Sequence, residues 1–156
     1  MHTVSARDAR TGDEAAVKQL VREVLVEYGL SPDRGALDAD IDDLQANYLA
    51  RGGVFRILEE HGVVVGCGGL YPLDATTAEV RKMYFVPALR GRGLGRQLLN
   101  ELIDCARAAG FEKLVLQTAS PLVEARALYA SAGFAEVPAR HVVSGCDKGF
   151  ERSLIE

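Results

Sequence analysis

Val86-Pro-Ala-Leu-Arg-Gly-Arg-Gly-Leu-Gly-Arg-Gln-Leu-Leu99 places three glycines and three arginines in seven consecutive residues, Arg90 to Arg96, ahead of a leucine-rich run. Glycines without a Cβ let backbone N–H groups approach a ligand closely. A helix starting within the stretch would add unpaired N–H groups and the positive end of its dipole. Arg90, Arg92 and Arg96 would supply cations around the same point. Together these point to a phosphate or pyrophosphate. A P-loop is excluded, because no lysine and hydroxyl pair follows Gly95. A dinucleotide fingerprint fails too: Arg96 stands where its third glycine belongs, and the early βαβ position is missing. The plain competing reading is a solvated turn whose arginines serve solubility.

Composition sets the outer limits. The chain of 156 residues is long enough for one domain, residues 1–156, with its own core. A net charge of −4 provides no global field for nucleic acid or an anionic membrane, so any basic site is local. Three cysteines, Cys67, Cys105 and Cys146, are odd in number and form no CxxC, which argues against a disulfide framework or a metal site. With no apolar segment in MHTVSARDAR that resembles a signal peptide, and no run long enough to span a membrane, the expected location is the cytoplasm.

The apolar periodicity predicts an α/β (mixed α+β) chain in the order β-α-α-β-β-β-α-β-α-β-β. A short strand is expected over Thr3–Ala6. A helix follows, with Asp13 as N-cap and Ala16, Val17, Leu20, Val21, Val24, Leu25 and Tyr28 on its inner stripe, stopping at Gly29. A second helix is expected over Asp40–Leu49. Val54–Glu59 and Val63–Tyr71 read as a hairpin turning at Glu60-His61-Gly62, and Thr77–Val86 as a third strand ended by Pro87. Gly93–Ala109 reads as a long helix, Lys113–Thr118 as a strand, and Pro121–Ala132 as a helix with proline in its first turn. Phe134–Val137 and Phe150–Ile155 close the sheet. Gly66, Gly68 and Gly69 suggest a bulge or a close backbone approach in the second strand of the hairpin.

Two motifs carry a family resemblance. Arg90-x-x-Gly93-x-Gly95 matches the R/Q-x-x-G-x-G/A loop, and Leu128-Tyr129-x-x-x-Gly133-Phe134 matches the LYxxxGF element, of the GNAT N-acetyltransferase superfamily. The resemblance runs from about Val54 to Val137. It implies a mostly antiparallel mixed sheet flanked by helices, with acetyl-CoA as donor. It further implies a pyrophosphate held by the backbone of Arg90, Gly91, Arg92, Gly93, Leu94, Gly95 and Arg96. Backbone groups of Met83, Tyr84 and Phe85 would meet the pantetheine arm where the flanking strands part, in the manner of strand addition. The implied reaction is transfer of an acetyl group to a primary amine of a small molecule or peptide by direct attack in a ternary complex. Homodimers are common among such proteins.

The same resemblance assigns Tyr129 as proton donor to the departing thiolate. A thiol titrates near about 8.5 and a tyrosine near about 10, so the transfer is affordable. Its alternative is a tyrosine packing on its own helix beside Leu128 and Ala125. Leu122 stands where the family often has asparagine, which suggests Ser120 or a backbone group as substitute. Glu79, six residues before Phe85, is the candidate base acting through water. Period-2 alternation would place it on one face with Arg81, Met83 and Phe85. The alternative is a carboxylate paired to arginine. Asp33, Asp38, Asp40, Asp42 and Asp43, against Arg34 alone, read chiefly as caps and a solvated face, and otherwise as a rim for a cationic amine. Cys67 reads as core filler. Cys105, and Cys146 near His141, lack a nucleophile's partners. A non-catalytic acyl-CoA-binding regulatory module is the alternative to an enzyme.

Overall fold

The hairpin pattern between Val54 and Tyr71 nucleates the sheet. In the computed structural model, which describes residues 3–33, 35–139 and 146–155, it becomes β2 (Val54–Glu60) and β3 (Val63–Pro72). Arg34 and His141 lie outside the described residues. His61 and Gly62 both take positive φ, 54° and 76°, as a tight two-residue hairpin turn requires. β1 (Ser5–Asp8) pairs with β2, and β4 (Thr77–Phe85) pairs with β3. β5 (Lys113–Thr118), β6 (Ala135–Val137) and β7 (Lys148–Ser153) complete a seven-stranded sheet in the order β1-β2-β3-β4-β5-β7-β6. Among the described residues, only β4 and β5 run parallel.

The helices cover both faces. α1 (Glu14–Glu27) buries Val17, Leu20, Val21, Val24 and Leu25 against Phe55, Ile57 and Cys67 on one side of the sheet. α3 (Leu94–Ala108) buries Leu98, Leu99, Leu102, Ile103 and Ala106 against Leu70, Val80, Leu114 and Leu116 on the other. Each fully buried leucine contributes about 1.5–3 kcal/mol, so this stripe fixes how α3 sits on the sheet. α4 (Val123–Ser131) lies on the α3 face, where Tyr129 packs with Phe134 and Phe150.

The element order agrees with the sequence reading, and four local expectations are corrected. The helix expected over Asp40–Leu49 is broken into a 3-10 segment (Gly35–Asp42), a four-residue α2 (Leu44–Asn47) and a 3-10 turn (Leu49–Arg51). Asp43 ends the first piece by capping α2, its Oδ1 accepting from the Ala46 amide at 3.0 Å. Asp13 stands at the N-cap position of α1 without capping, because its carboxylate accepts two 2.8 Å bonds from Arg7 and one of 2.7 Å from the Arg10 amide. Pro121 precedes the Leu122 N-cap of α4 rather than lying in its first turn.

The fourth correction concerns β4. Cys67 pairs with Tyr84 but Gly69 pairs with Arg81, so Lys82 and Met83 together oppose Gly68 alone. This bulge breaks the alternation. Ala78 and Val80 face α3 before it, and Met83 and Phe85 face α3 after it. Glu79 and Arg81 therefore do not share a face with Met83 and Phe85. Gly68 leaves room for the displaced side chain: a Cβ there would lie 2.7 Å from Met83 Sδ.

Candidate active site

β4 and β5 stay paired only through Thr77–Lys113, Ala78–Leu114 and Glu79–Val115. Beyond Glu79 the two strands part, although β4 runs on to Phe85 and β5 to Thr118. The gap opens toward the turn of residues 86–93 and the start of α3. A cavity of about 280 Å³ fills it, and a second of about 160 Å³ lies deeper. Met83, Tyr84, Leu122, Ala125 and Tyr129 line both.

The glycine-rich turn forms the outer end. Gly91 and Gly93 take φ of 76° and 78°, in the left-handed region that side chains disfavour. The first amide of α3 to reach a backbone carbonyl is that of Gln97, on Gly93 O at 3.1 Å. The Leu94, Gly95 and Arg96 amides therefore lack intrahelical acceptors at the positive end of a fifteen-residue helix. Gly95 turns its bare Cα toward Leu128 and Phe85; a Cβ there would sit 3.4 Å from Leu128 Cδ2. The residues fit a pyrophosphate cradle followed by a narrow apolar channel.

The structure brings together nearly every residue expected at the donor site. Met83, Tyr84, Phe85, Arg90, Gly91, Gly93, Leu94, Gly95, Arg96 and Tyr129 all line the larger cavity. Arg92 does not; its Nη1 lies 3.9 Å from Glu60. The arginines are less free than the sequence suggests. Arg90 donates to both carboxylate oxygens of Glu27 and, at 2.9 Å, to the Phe85 carbonyl, so it braces the turn against α1 and β4. Arg96 donates to Ser131 Oγ. Backbone amides thus supply more of the anion cradle than side-chain charge does.

Tyr129 is 5% exposed, and burial raises its phenol above the ordinary tyrosine range, with Tyr84 adding to the shift. The group stays protonated and can donate a hydrogen bond to negative charge developing in the cleft. Leu122 lines both cavities. Ser120 lines neither, since its amide and hydroxyl both donate to Asp147.

Glu79 is buried beside the last paired rung of β4 and β5, with its carboxylate on Arg81, and lines neither cavity. Arg81 in turn stacks 3.8 Å over the Tyr71 ring. Of the aspartates, Asp43 caps α2 and Asp42 pairs with Lys18 at 2.7 Å on the exposed surface, whereas Asp40 and Asp38 pair with Lys82 inside the fold. Cys67 is fully buried, and desolvation pushes its thiol up to about 12.

Sequence reasoning missed Tyr28 and Glu124, which join α1 to α4 across the larger cavity through a 2.9 Å hydrogen bond. Ninety-six positions separate them, so no local pattern signals the pair. Among the described residues, no group of three or more His, Cys, Asp or Glu is placed to hold a metal, and no helix is long and apolar enough to cross a membrane.

Comparison with known proteins returns the same architecture. A model of the acetyltransferase (GNAT) family matches residues 18–134. The N-acetyltransferase YjgM of Escherichia coli K12 is 38% identical over 130 residues, covering 80% of this chain and 78% of its own. A GNAT-family acetyltransferase structure from Staphylococcus aureus Mu50 superposes with a TM-score of 0.90 at 20% identity, covering 98% of this chain and all of its own. The yncA structure from Salmonella typhimurium, solved with its cofactor acetyl-CoA, has a TM-score of 0.74 at 28% identity and covers 99% of this chain and 95% of its own.

Proposed function

Because this chain belongs to the GNAT acetyltransferase family, we propose that it transfers the acetyl group of acetyl-CoA to a primary amine of a small molecule or of a peptide. One observation carries the reading. The parting of β4 and β5 leads from free helix amides at Leu94–Arg96, through an apolar channel, to a buried tyrosine and a second cavity. The thioester supplies an activated acyl carbon; the amine nitrogen bonds to it, the carbon–sulfur bond breaks, and the thiolate leaves.

The chain's own residues do the rest. The amides of the turn and of the first turn of α3 take the diphosphate charge, a task suited to donors fixed before the ligand arrives. Among the described residues, no strand pairs with the β4 edge beyond Glu79 on the β5 side, so an extended amide-bearing arm can lie along it. Tyr129, kept neutral by burial, donates to the departing sulfur at the junction of the two cavities. The smaller cavity, about 160 Å³ with Leu25, Leu30 and Val80 in its walls, suits a small amine or the tip of a longer chain. Glu79 lines neither cavity, so as a base it acts through water. Three cysteines outside any disulfide suit a reducing cytoplasm as the setting.

The test is release of free thiol from acetyl-CoA with a panel of amines, beside calorimetric titration with CoA. Turnover with any amine supports the enzyme. Tight CoA binding without turnover across the panel favours a non-catalytic acyl-CoA-binding module, and absence of CoA binding overturns the donor site. In the same assay Glu79→Gln lowers turnover about 10- to 100-fold if the carboxylate removes the amine proton, and leaves it unchanged if water alone does.

A further inference from the structure

The bulge in β4 rests on a residue that its backbone disfavours. Lys82 takes φ of 58°, in the left-handed region, which costs an L-residue roughly tenfold in population against glycine. A lysine there has to be held, and two sets of bonds hold it. On the β3 side, Cys67 Sγ donates to the Lys82 carbonyl at 3.1 Å. On the α1 side, the ammonium donates to Asp40 Oδ2 at 3.2 Å and forms ion-pair contacts with Asp40 Oδ1 at 2.9 Å and Asp38 Oδ1 at 3.3 Å.

The group is deeply buried, with the Lys82 side chain 7% and the Asp40 side chain 8% exposed. Tyr48, completely buried, donates its hydroxyl to Asp40 Oδ2 and rests edge-on against Phe55 and Tyr71 at 4.9 and 5.5 Å. Asn47 Nδ2 donates to the Asp40 carbonyl at 3.0 Å. The anchor therefore extends from the broken helix of residues 35–51 into the core. What it holds is the segment whose reversed alternation places Met83 and Tyr84 along both cavities, with Lys82 itself in the wall of the smaller one.

We propose that Lys82, Asp40 and Tyr48 form a positioning clamp that holds the β4 bulge in register for acyl transfer. The clamp ties the 3-10 segment Gly35–Asp42 to the wall of the acceptor cavity, and its catalytic consequence rests on the donor and acceptor reading above. None of the three is assigned a role in the chemical step. They act through the backbone of Met83 and Tyr84. A buried ion pair that only stabilised the fold would be replaceable by apolar groups of similar size without effect on β4.

The experiment compares the wild type with Lys82→Gly/Asp40→Asn and with Tyr48→Phe. The double variant removes the ammonium and the Asp40 charge and supplies glycine for the left-handed backbone; Asp38, the third charge of the cluster, is 19% exposed and keeps contact with water. Tyr48→Phe keeps the ring packing and loses only the hydroxyl. Three quantities are read: amide hydrogen exchange of residues 82–85 against β5, CoA affinity, and thiol release from acetyl-CoA with the best amine of the panel or with water alone. In the double variant, exchange at 82–85 rises about tenfold while β5 stays within about twofold. CoA affinity falls by no more than about tenfold, because the glycine-rich turn is untouched and only the contacts along β4 are loosened. Turnover at saturating acetyl-CoA drops about 10- to 100-fold, as expected when reacting groups are misplaced rather than removed. Tyr48→Phe shifts exchange and turnover in the same directions by less. Unchanged exchange at 82–85 overturns the clamp, and so does faster exchange with wild-type turnover. A wild type that fails to bind CoA refutes the donor reading instead, and the exchange data still decide whether the clamp exists.

Discussion

Replacing Gly93 separates the anion cradle from the fold that carries it. Gly93 sits at φ 78° and ψ 4° immediately before α3, and a Cβ built on it meets nothing within 4 Å. The cost of a side chain is therefore conformational and not steric. Holding valine in the left-handed region costs about 1–2 kcal/mol, which lowers the melting temperature of a chain this size by about 2–8 °C. The backbone can escape that cost by rotating out of the left-handed region, and the amides at the mouth of α3 then no longer converge. Losing one amide bond to a charged phosphate is worth about 1.5–3 kcal/mol, or about 10- to 150-fold in Kd. Calorimetric titration of Gly93→Val with CoA reads this directly. Gly93→Asn is the control, because asparagine tolerates the left-handed region and should hold most of the affinity. A folded Gly93→Val protein binding CoA within about twofold of wild type would refute the cradle.

Three further outcomes follow from the geometry. Tyr129→Phe keeps the aromatic packing on Phe134 and Phe150, so CoA affinity is unchanged while turnover falls about 10²- to 10⁴-fold in the thiol-release assay. Asp13 is held below the ordinary carboxylate range, first by its hydrogen bonds from Arg7 and then by the Arg10 amide, against the opposing effect of burial. A depressed folded-state pKa gives stability that is present above the unfolded value and lost as pH falls through the folded one. Denaturant midpoints should therefore drop below about pH 4, and more shallowly in Asp13→Asn. Cys67, with its thiol pushed up to about 12 by burial, should resist thiol reagents in the native protein at pH 8 and react only on unfolding, as read by mass spectrometry.

Much of the fold was legible because its signals are local. The α1 and α3 stripes repeat at helical spacing, the hairpin turns at His61-Gly62, and glycines stop the helices at Gly29 and Gly110. Where the reading failed, a distant partner outweighed a local preference. Asp13 looks like a cap by position, yet Arg7 from β1 draws its carboxylate away. Asp40–Leu49 has the composition of one helix, but Asp40 is taken by Tyr48 and Lys82, and Asp43 starts a new helix. Arg90 counts as an anion-binding cation by motif, while Glu27 and the Phe85 carbonyl make it a brace.

The sequence by itself marked the candidate donor end of the site. Three glycines ahead of a leucine-rich helix and a tyrosine-bearing helix downstream are short-range patterns, and the backbone chemistry they impose needs no tertiary information. Only the tertiary structure decided how that turn connects to the two cavities. The parting of β4 from β5 after Glu79, and the bulge at Lys82 that turns Met83 and Tyr84 along the cavities, depend on pairing between segments far apart in the chain. One extra residue in a strand exchanges its two faces. Alternation read along β4 could not reveal that exchange, because the partners of Lys82 lie across the sheet at Cys67 and across the core at Asp40.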